Sequence, residues 1–243
     1  MTVRSSAKSR TLVLFASEKG SAAALEVVLD ACREAARGPQ EFRDHINVPD
    51  RKGNGPLALA ARAGKPANVG LLLMRGADPL HRNRVGDSAV HLAAQSGCAQ
   101  SLGLLLSARG AGGVGTVAAT IVHSRHSVER YVDAPNDSGL APLHVACLHG
   151  HLAAVNALIL HGAALDAPVL GVSRRVVAAA AAHHRRRGAT AGAAGLTAGA
   201  TPLHIAAAAG DAAACIALLD AARAAAAGAG PRRSCAARAT PRA

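Results

Sequence analysis

The feature that most constrains this chain is a ten-residue segment that occurs four times along it. The copies are GPLALAARAG (Gly55–Gly64), SAVHLAAQSG (Ser88–Gly97), APLHVACLHG (Ala141–Gly150) and TPLHIAAAAG (Thr201–Gly210). The first two copies start 33 residues apart, and the next two starts follow after 53 and 60 residues. Self-similarity of this kind predicts a stack of small units that pack on their neighbours, in place of one closed globular core.

Each copy has the start and stop signals of a short helix. Thr201 stands at a cap position, and Pro202 follows at the first helical position, where the missing N–H of proline costs nothing. A glycine closes each copy, and glycine readily takes the left-handed conformation that ends a helix. The aliphatic stretch after each copy predicts a second helix packed on the first. Alanine makes up about a quarter of the chain, which suits helices that approach closely.

These segments resemble the ankyrin-repeat family, whose units open with T-P-L-H-x-A-A-x-x-G-H. TPLHIAAAAG contains the T-P-L-H-x-A-A element, and APLHVACLHGH nearly does, with the G-H pair at Gly150 and His151. A degenerate fifth copy lies upstream, in LFASEKG (Leu14–Gly20) and ALEVVLDAC (Ala24–Cys32). The resemblance implies an all-α solenoid of about five helix–turn–helix repeats joined by β-hairpins. It also implies that His91, His144 and His204 form hydrogen bonds between neighbouring repeats.

The repeats divide the chain into an array and several segments outside the pattern. We predict an ankyrin-repeat array over residues 13–227, with insertions at about 111–131 and 168–195 that account for the wider spacings. Residues 1–12 are expected to be a disordered N terminus. Residues 228–243 read as a disordered, low-complexity basic tail.

The net charge of +12 lies mostly outside the repeats. Residues 18–170 are close to neutral, whereas residues 171–243 hold ten arginines against two aspartates. Arg185, Arg186 and Arg187 form the densest group and could bind a polyanion such as nucleic acid, or could simply be solvated. The scarcity of aromatic residues weakens the case for single-stranded nucleic acid, because bases stack on aromatic side chains.

The sequence contains no recognisable catalytic or cofactor motif, so we predict a protein that is not an enzyme and takes no cofactor. His144, His149 and His151 lie close together, but two of them occupy ordinary repeat positions, and we predict no metal site. The cysteines are widely spaced, which favours reduced thiols and a cytoplasmic or nuclear protein. No apolar run is long enough to span a membrane.

The resemblance implies that a partner protein lies along the concave face, formed by the hairpin tips and the exposed side of each first helix. The chain is therefore predicted to be a monomeric scaffold or adaptor that binds another protein. The candidate contact residues are Arg51, Lys52, Asn54, Arg62, Arg82, Arg84, Asp87, Gln95, Asp137, Leu140, Leu148 and His149.

Overall fold

A computed structural model describes residues 12–107, 131–169 and 199–227. The described residues are helical, in the order α1 (residues 12–18), α2 (Ala22–Ala35), α3 (Pro39–Ile46), α4 (Pro56–Arg62), α5 (Pro66–Met74), α6 (Ala89–Ser96), α7 (Ala99–Ser107), α8 (Pro142–His149), α9 (Leu152–Leu160), α10 (Pro202–Ala208) and α11 (Ala212–Ala226). Apart from α3 these helices form five pairs, which we number unit 1 (α1/α2) to unit 5 (α10/α11). The predicted all-α solenoid is confirmed.

The units stack through both of their helices. The first helices pack in the order α4, α6, α8 and α10, and the second helices in the order α5, α7, α9 and α11. The contacts between first helices are made by small side chains with no exposed surface, among them Ala60, Ala93, Ala146 and Ala206. Short side chains allow the helix axes to lie close together, and this explains the alanine content.

The connections between units differ from the implied β-hairpins. The described parts of these connections contain no strand, and carry one isolated antiparallel bridge between Arg82 and Ser88. The described part of each connection includes a tight turn closed by two backbone hydrogen bonds, as in Asp50 N–H to Asn54 O (2.9 Å) and Gly53 N–H to Asp50 O (3.0 Å). The arms beyond the turn are too short to extend into a ladder.

Helix α3 is an addition that the repeat pattern did not predict. It begins with proline at its first position and lies between unit 1 and unit 2, in contact with α2. His45 and Ile46 at its end are buried, and Phe42 packs against the core. Phe42 and Ile46 are the only large apolar residues of this segment, which is otherwise mostly polar. The hydrophobic pattern is therefore too short to distinguish a helix from a loop.

Several predicted segments lie outside the described residues. These are residues 1–11 of the expected disordered N terminus, the basic tail, and nearly all of both insertions. Leu12 belongs to α1, and residues 131–133 are helical. Within the described ranges, no helix has both the length and the apolar character needed to cross a membrane.

Candidate protein-binding surface

Three of the turns between units are each organised by one side chain. In turn 1 (residues 50–54), Asp50 Oδ1 accepts hydrogen bonds from the backbone N–H groups of Lys52 (2.7 Å) and Asn54 (2.8 Å). Asn83 in turn 2 (residues 83–87) and Asn136 in turn 3 (residues 136–140) accept the same pair of bonds two and four residues ahead. The side-chain oxygen therefore holds each turn in one conformation.

Neighbouring turns are joined to each other by hydrogen bonds. The Arg84 N–H donates to Lys52 O (3.1 Å), and the Asn83 amide donates to Asn54 Oδ1 (2.9 Å), so turn 2 is fixed against turn 1. Turn 3 is fixed against turn 2 through the Asp137 N–H to Val85 O (3.2 Å) and the Asn136 amide to Asp87 Oδ1 (2.8 Å). The three turns form one continuous row along the edge of the stack.

The electrostatics of turn 1 favour an ionised carboxylate. Partial burial of Asp50 would raise its pKa, but the hydrogen bonds from Asn54 and Lys52 and the nearby Arg62 charge outweigh it. The pKa of Asp50 therefore lies below its usual value. The ionised carboxylate of Asp50 thus stabilises turn 1 by accepting these hydrogen bonds.

Turn 4 is where the second insertion joins the array. Val169 N–H donates to Ala200 O (2.9 Å), and Gly199 N–H donates to Val169 O (2.9 Å). The same two bonds close turn 3, between Asn136, Gly139 and Leu140. Residues 170–198 thus take the place of the two turn residues that correspond to Asp137 and Ser138.

Histidines at one repeat position link two first helices, α6 and α8, to the connection that follows them. His91 Nδ1 accepts from the Ser88 N–H at its own helix start (3.2 Å), while its Nε2 lies 3.1 Å from Leu140 O in turn 3. His144 repeats this with the Ala141 N–H (3.0 Å) and Ala167 O (2.9 Å). The implied bonds between repeats are confirmed for these two histidines. His204 keeps the bond to its own cap, Thr201, but is exposed.

The structure separates the predicted contact residues into three groups. Fully exposed positions are Arg51, Lys52, Arg82, Arg84, Gln95 and Asp137. Arg62 and Asp87 are half-buried and already engaged: Arg62 pairs with Glu18 of unit 1 at 3.3 Å, and Asp87 accepts from Asn136. His149 is half-buried, with its ring stacked on His151 at a centroid separation of 6.1 Å.

Three predicted contact residues belong to the interior instead. Asn54, Leu140 and Leu148 are 2%, 3% and 7% exposed, so the expectation that they face a partner was wrong. Asn54 is buried because its amide bonds Asp50 Oδ2 (3.0 Å) and its oxygen receives the Asn83 amide. Both leucines lie in the hydrophobic core. Leu140 and Leu148 therefore offer a partner no apolar surface.

The sequence analysis missed the residues that shape the row of turns. Asp50, Asn83 and Asn136 each stand three residues before a glycine with positive φ, namely Gly53, Gly86 and Gly139. An Asp or Asn at this spacing before glycine is a signal of a turn, and its recurrence in three units could have identified them.

Two further predictions concerned a polyanion-binding arginine group and the absence of a metal site. Arg185, Arg186 and Arg187 lie outside the described residues. In the described ranges, no three His, Cys, Asp or Glu side chains are grouped so that they could share a metal ion.

Comparison with known sequences agrees with the geometry. A family profile described as ankyrin repeats, in three copies, matches residues 57–169. The chain carries ankyrin repeats. The matched ankyrin repeats correspond to units 2 to 4, which hold the row of turns.

Curated relatives with the same repeats are similar to half of this chain. NF-kappa-B inhibitor alpha from Sus scrofa is 32% identical over 122 residues, and the proteins of that name from Mus musculus and Homo sapiens are 34% and 33% identical. Each match covers 50% of this chain and 34% of the relative. The chain spans about a third of the length of these relatives. Ankyrin repeats and relatives of this kind support a role in protein–protein interaction.

Proposed function

We propose that this chain is a scaffold or adaptor whose partner protein binds along the row of turns and the first helices of units 2 to 4. The observation that carries the proposal is the hydrogen-bonded row itself. Three turns from separate units are held in fixed register, and they present Arg51, Lys52, Arg84 and Asp137 to solvent. A surface that is ordered before binding loses little conformational entropy when a partner arrives.

The histidines and the cysteine that could take part in catalysis have structural roles instead. Both ring nitrogens of His91 and of His144 are used in hydrogen bonds. Burial, with smaller contributions from Asp211 and Cys215, raises the pKa of the Cys147 thiol to about 12, which leaves it protonated and unreactive at neutral pH. We accordingly assign the chain no catalytic role, and propose that it acts as a monomer in the cytoplasm or nucleus.

Site-specific crosslinking tests which face binds the partner. A photoreactive residue at Gln95, exposed on the first helix α6, is expected to capture a partner protein from cell extract. Met74, 67% exposed on the second helix α5, provides the matched control on the other layer of helices. Equal capture from both positions, or capture from Met74 alone, would show that the proposed face is wrong.

Polyanion binding is the second candidate, and the position of turn 4 favours it. Residues 170–198 carry Arg185, Arg186 and Arg187 and contain no acid, and the residues at their two ends are joined by the hydrogen bonds of turn 4. Binding to heparin that falls steeply with salt, and is lost when residues 170–198 are replaced by an Asp-Ser turn and the basic tail 228–243 is removed, would support this candidate over the first.

A further inference from the structure

We propose that the cations of turns 1 and 2 bind an acidic, extended segment of the partner protein. This inference rests on the proposed function and names the chemistry of the partner at one part of that surface. The residues concerned are Arg51 and Lys52 in turn 1 and Arg84 in turn 2.

The row of turns brings these three side chains together. Arg84 is 32 residues beyond Lys52 in the chain, yet its N–H donates to Lys52 O at 3.1 Å. A Cβ added to Gly53 would lie 3.0 Å from Arg84 Cγ, so the stem of Arg84 runs across turn 1. All three side chains are exposed. Their charges therefore act on the same small volume of solvent.

The nearby carboxylates of turns 1 and 2 accept hydrogen bonds from neighbouring residues. Asp50 accepts hydrogen bonds at both oxygens within turn 1, and Asp87 accepts from Asn136. In the described part of the chain, no ion pair is formed by Arg51, Lys52 or Arg84. The three cations are therefore unpaired, although hydrogen bonding does not remove the negative charges of Asp50 and Asp87, and the Asp137 carboxylate lies against Gly86 of turn 2.

Arginines elsewhere on the array are different. Arg62 pairs with Glu18, and Arg75 pairs with Glu26 and Asp30, so in each case unit 2 is held to unit 1. These pairs join neighbouring units and leave less charge for a partner. We therefore do not include Arg62 among the residues that bind the acidic segment.

The charge along the row also limits the length of the segment. Asp137 is exposed in turn 3 and would repel an acidic chain that continued past turn 2. Adjacent helices pack about 10 Å apart, and an extended chain advances about 3.3 Å per residue. About three or four consecutive residues would thus reach from turn 1 to turn 2.

A protein carboxylate fits this surface better than a nucleic acid. No aromatic residue occurs in turns 1 to 3, so bases would have nothing to stack on. A phosphate backbone also carries its charge without interruption and would meet Asp137. A short acidic run in a protein can end before that position.

Fluorescence anisotropy with a labelled peptide tests the proposal on the full chain. The probe is a Gly-Ser peptide that contains four consecutive glutamates. The triple variant Arg51→Gln, Lys52→Gln, Arg84→Gln is expected to bind it about tenfold more weakly than the wild type, since each exposed ion pair contributes a few-fold at most. The matched control is Arg33→Gln, Arg37→Gln, Arg223→Gln, which removes the same charge from exposed positions outside the turns.

The outcomes separate this proposal from the proposed function. Equal loss of peptide binding in both triple variants, or no loss in either, would overturn the acidic-segment proposal. Tighter binding of a labelled oligothymidylate that also depends on the three cations would assign the surface to nucleic acid. Crosslinking from Gln95 is independent of these charges, so partner capture that persists in the turn variant leaves the proposed function standing. Matching circular dichroism melts confirm that the variants fold.

Discussion

His91 and His144 each serve two structural purposes with one ring. Because Nδ1 accepts a backbone N–H at the helix start, the proton of the neutral ring must be on Nε2, which donates it to a carbonyl of the following turn. A single buried residue thus caps its own helix and fixes the next unit. His204 occupies the same position but is exposed.

Replacing His91 with alanine is expected to destabilise the fold by about 2–4 kcal/mol. The change opens a cavity, leaves the buried Ser88 N–H without its acceptor, and leaves the Leu140 carbonyl with the Asn136 N–H alone. His204→Ala is the matched control and should cost less than about 1 kcal/mol, because it removes only an exposed cap contact. Urea denaturation measures both; equal losses would contradict the assigned role of His91.

Acidification is expected to destabilise the protein between about pH 7 and pH 5. Burial lowers the pKa of both His91 and His144 below the value of about 6.5 found in an unfolded chain. Protonation would also place an N–H on Nδ1 facing the backbone N–H it now accepts. The unfolded state therefore binds protons first, so this stability is complete above about pH 6.5 and is lost as pH falls.

Thermal melts at pH 7.5 and pH 5.5 check this expectation. The melting temperature should be lower at pH 5.5, and the double variant His91→Gln, His144→Gln should show a smaller difference between the two pH values. Asp50, whose pKa is lowered, contributes only at more acidic pH, where carboxylates begin to be protonated. An unchanged melting temperature in the wild type would exclude the histidine effect.

At the scale of the element, the turns depend on glycine for two separate reasons. Gly86 has φ +77°, a conformation that costs other residues about 1–2 kcal/mol. It also lies against turn 3, since an added Cβ would be 2.6 Å from the Asp137 nitrogen. Gly199 has φ +86° at the same position of turn 4, but an added Cβ there would meet nothing within 4 Å among the described residues.

Alanine at these two glycines should separate strain from packing. Gly199→Ala is expected to cost about 1–2 kcal/mol through backbone strain alone. Gly86→Ala should cost about 3 kcal/mol or more, because turn 3 must also move away from turn 2. Chemical denaturation gives both values. Equal costs would mean that the contact between turns contributes little.

The helices and turns also show which features could be predicted from the sequence. The helix pairs were predictable, because proline opens three of the four copies and glycine closes all four. The linking role of the histidines was implied by the resemblance to ankyrin repeats. The burial of Asn54, Leu140 and Leu148 was not, because it depends on contacts between turns about 30 to 50 residues apart. The pairing of Arg62 with Glu18, 44 residues away, was hidden for the same reason. Local patterns identify elements, whereas exposure is decided by the neighbouring unit.

On the scale of the whole molecule, the array continues across the second insertion. Helices α8 and α10 pack on one another, as do α9 and α11, although residues 170–198 separate them in the chain. Turn 4 keeps the two backbone hydrogen bonds of turn 3. Units 4 and 5 therefore contact each other directly through described helices and through turn 4.

Replacing residues 170–198 with Asp-Ser, the residues of turn 3, is expected to leave the fold and its unfolding free energy nearly unchanged. A shorter loop costs less entropy to close, and this effect grows only slowly with length. Replacing Val169–Ala200 entirely with Gly-Gly provides the control, because it removes both closing hydrogen bonds and should loosen unit 5. Denaturation and amide exchange in α10 and α11 measure the difference; loss of the fold in the first variant would contradict the prediction.

The link between His91 and Leu140 also has a consequence for protein synthesis. The ribosome makes His91 first and must add 49 more residues before the carbonyl that receives its proton exists. Lys65, by contrast, reaches back to Gly20, which has already been made. Unit 2 can therefore complete its contacts with unit 1 as it emerges, whereas unit 3 waits for residues translated after the first insertion. We therefore expect unit 3 to fold later during synthesis than unit 2.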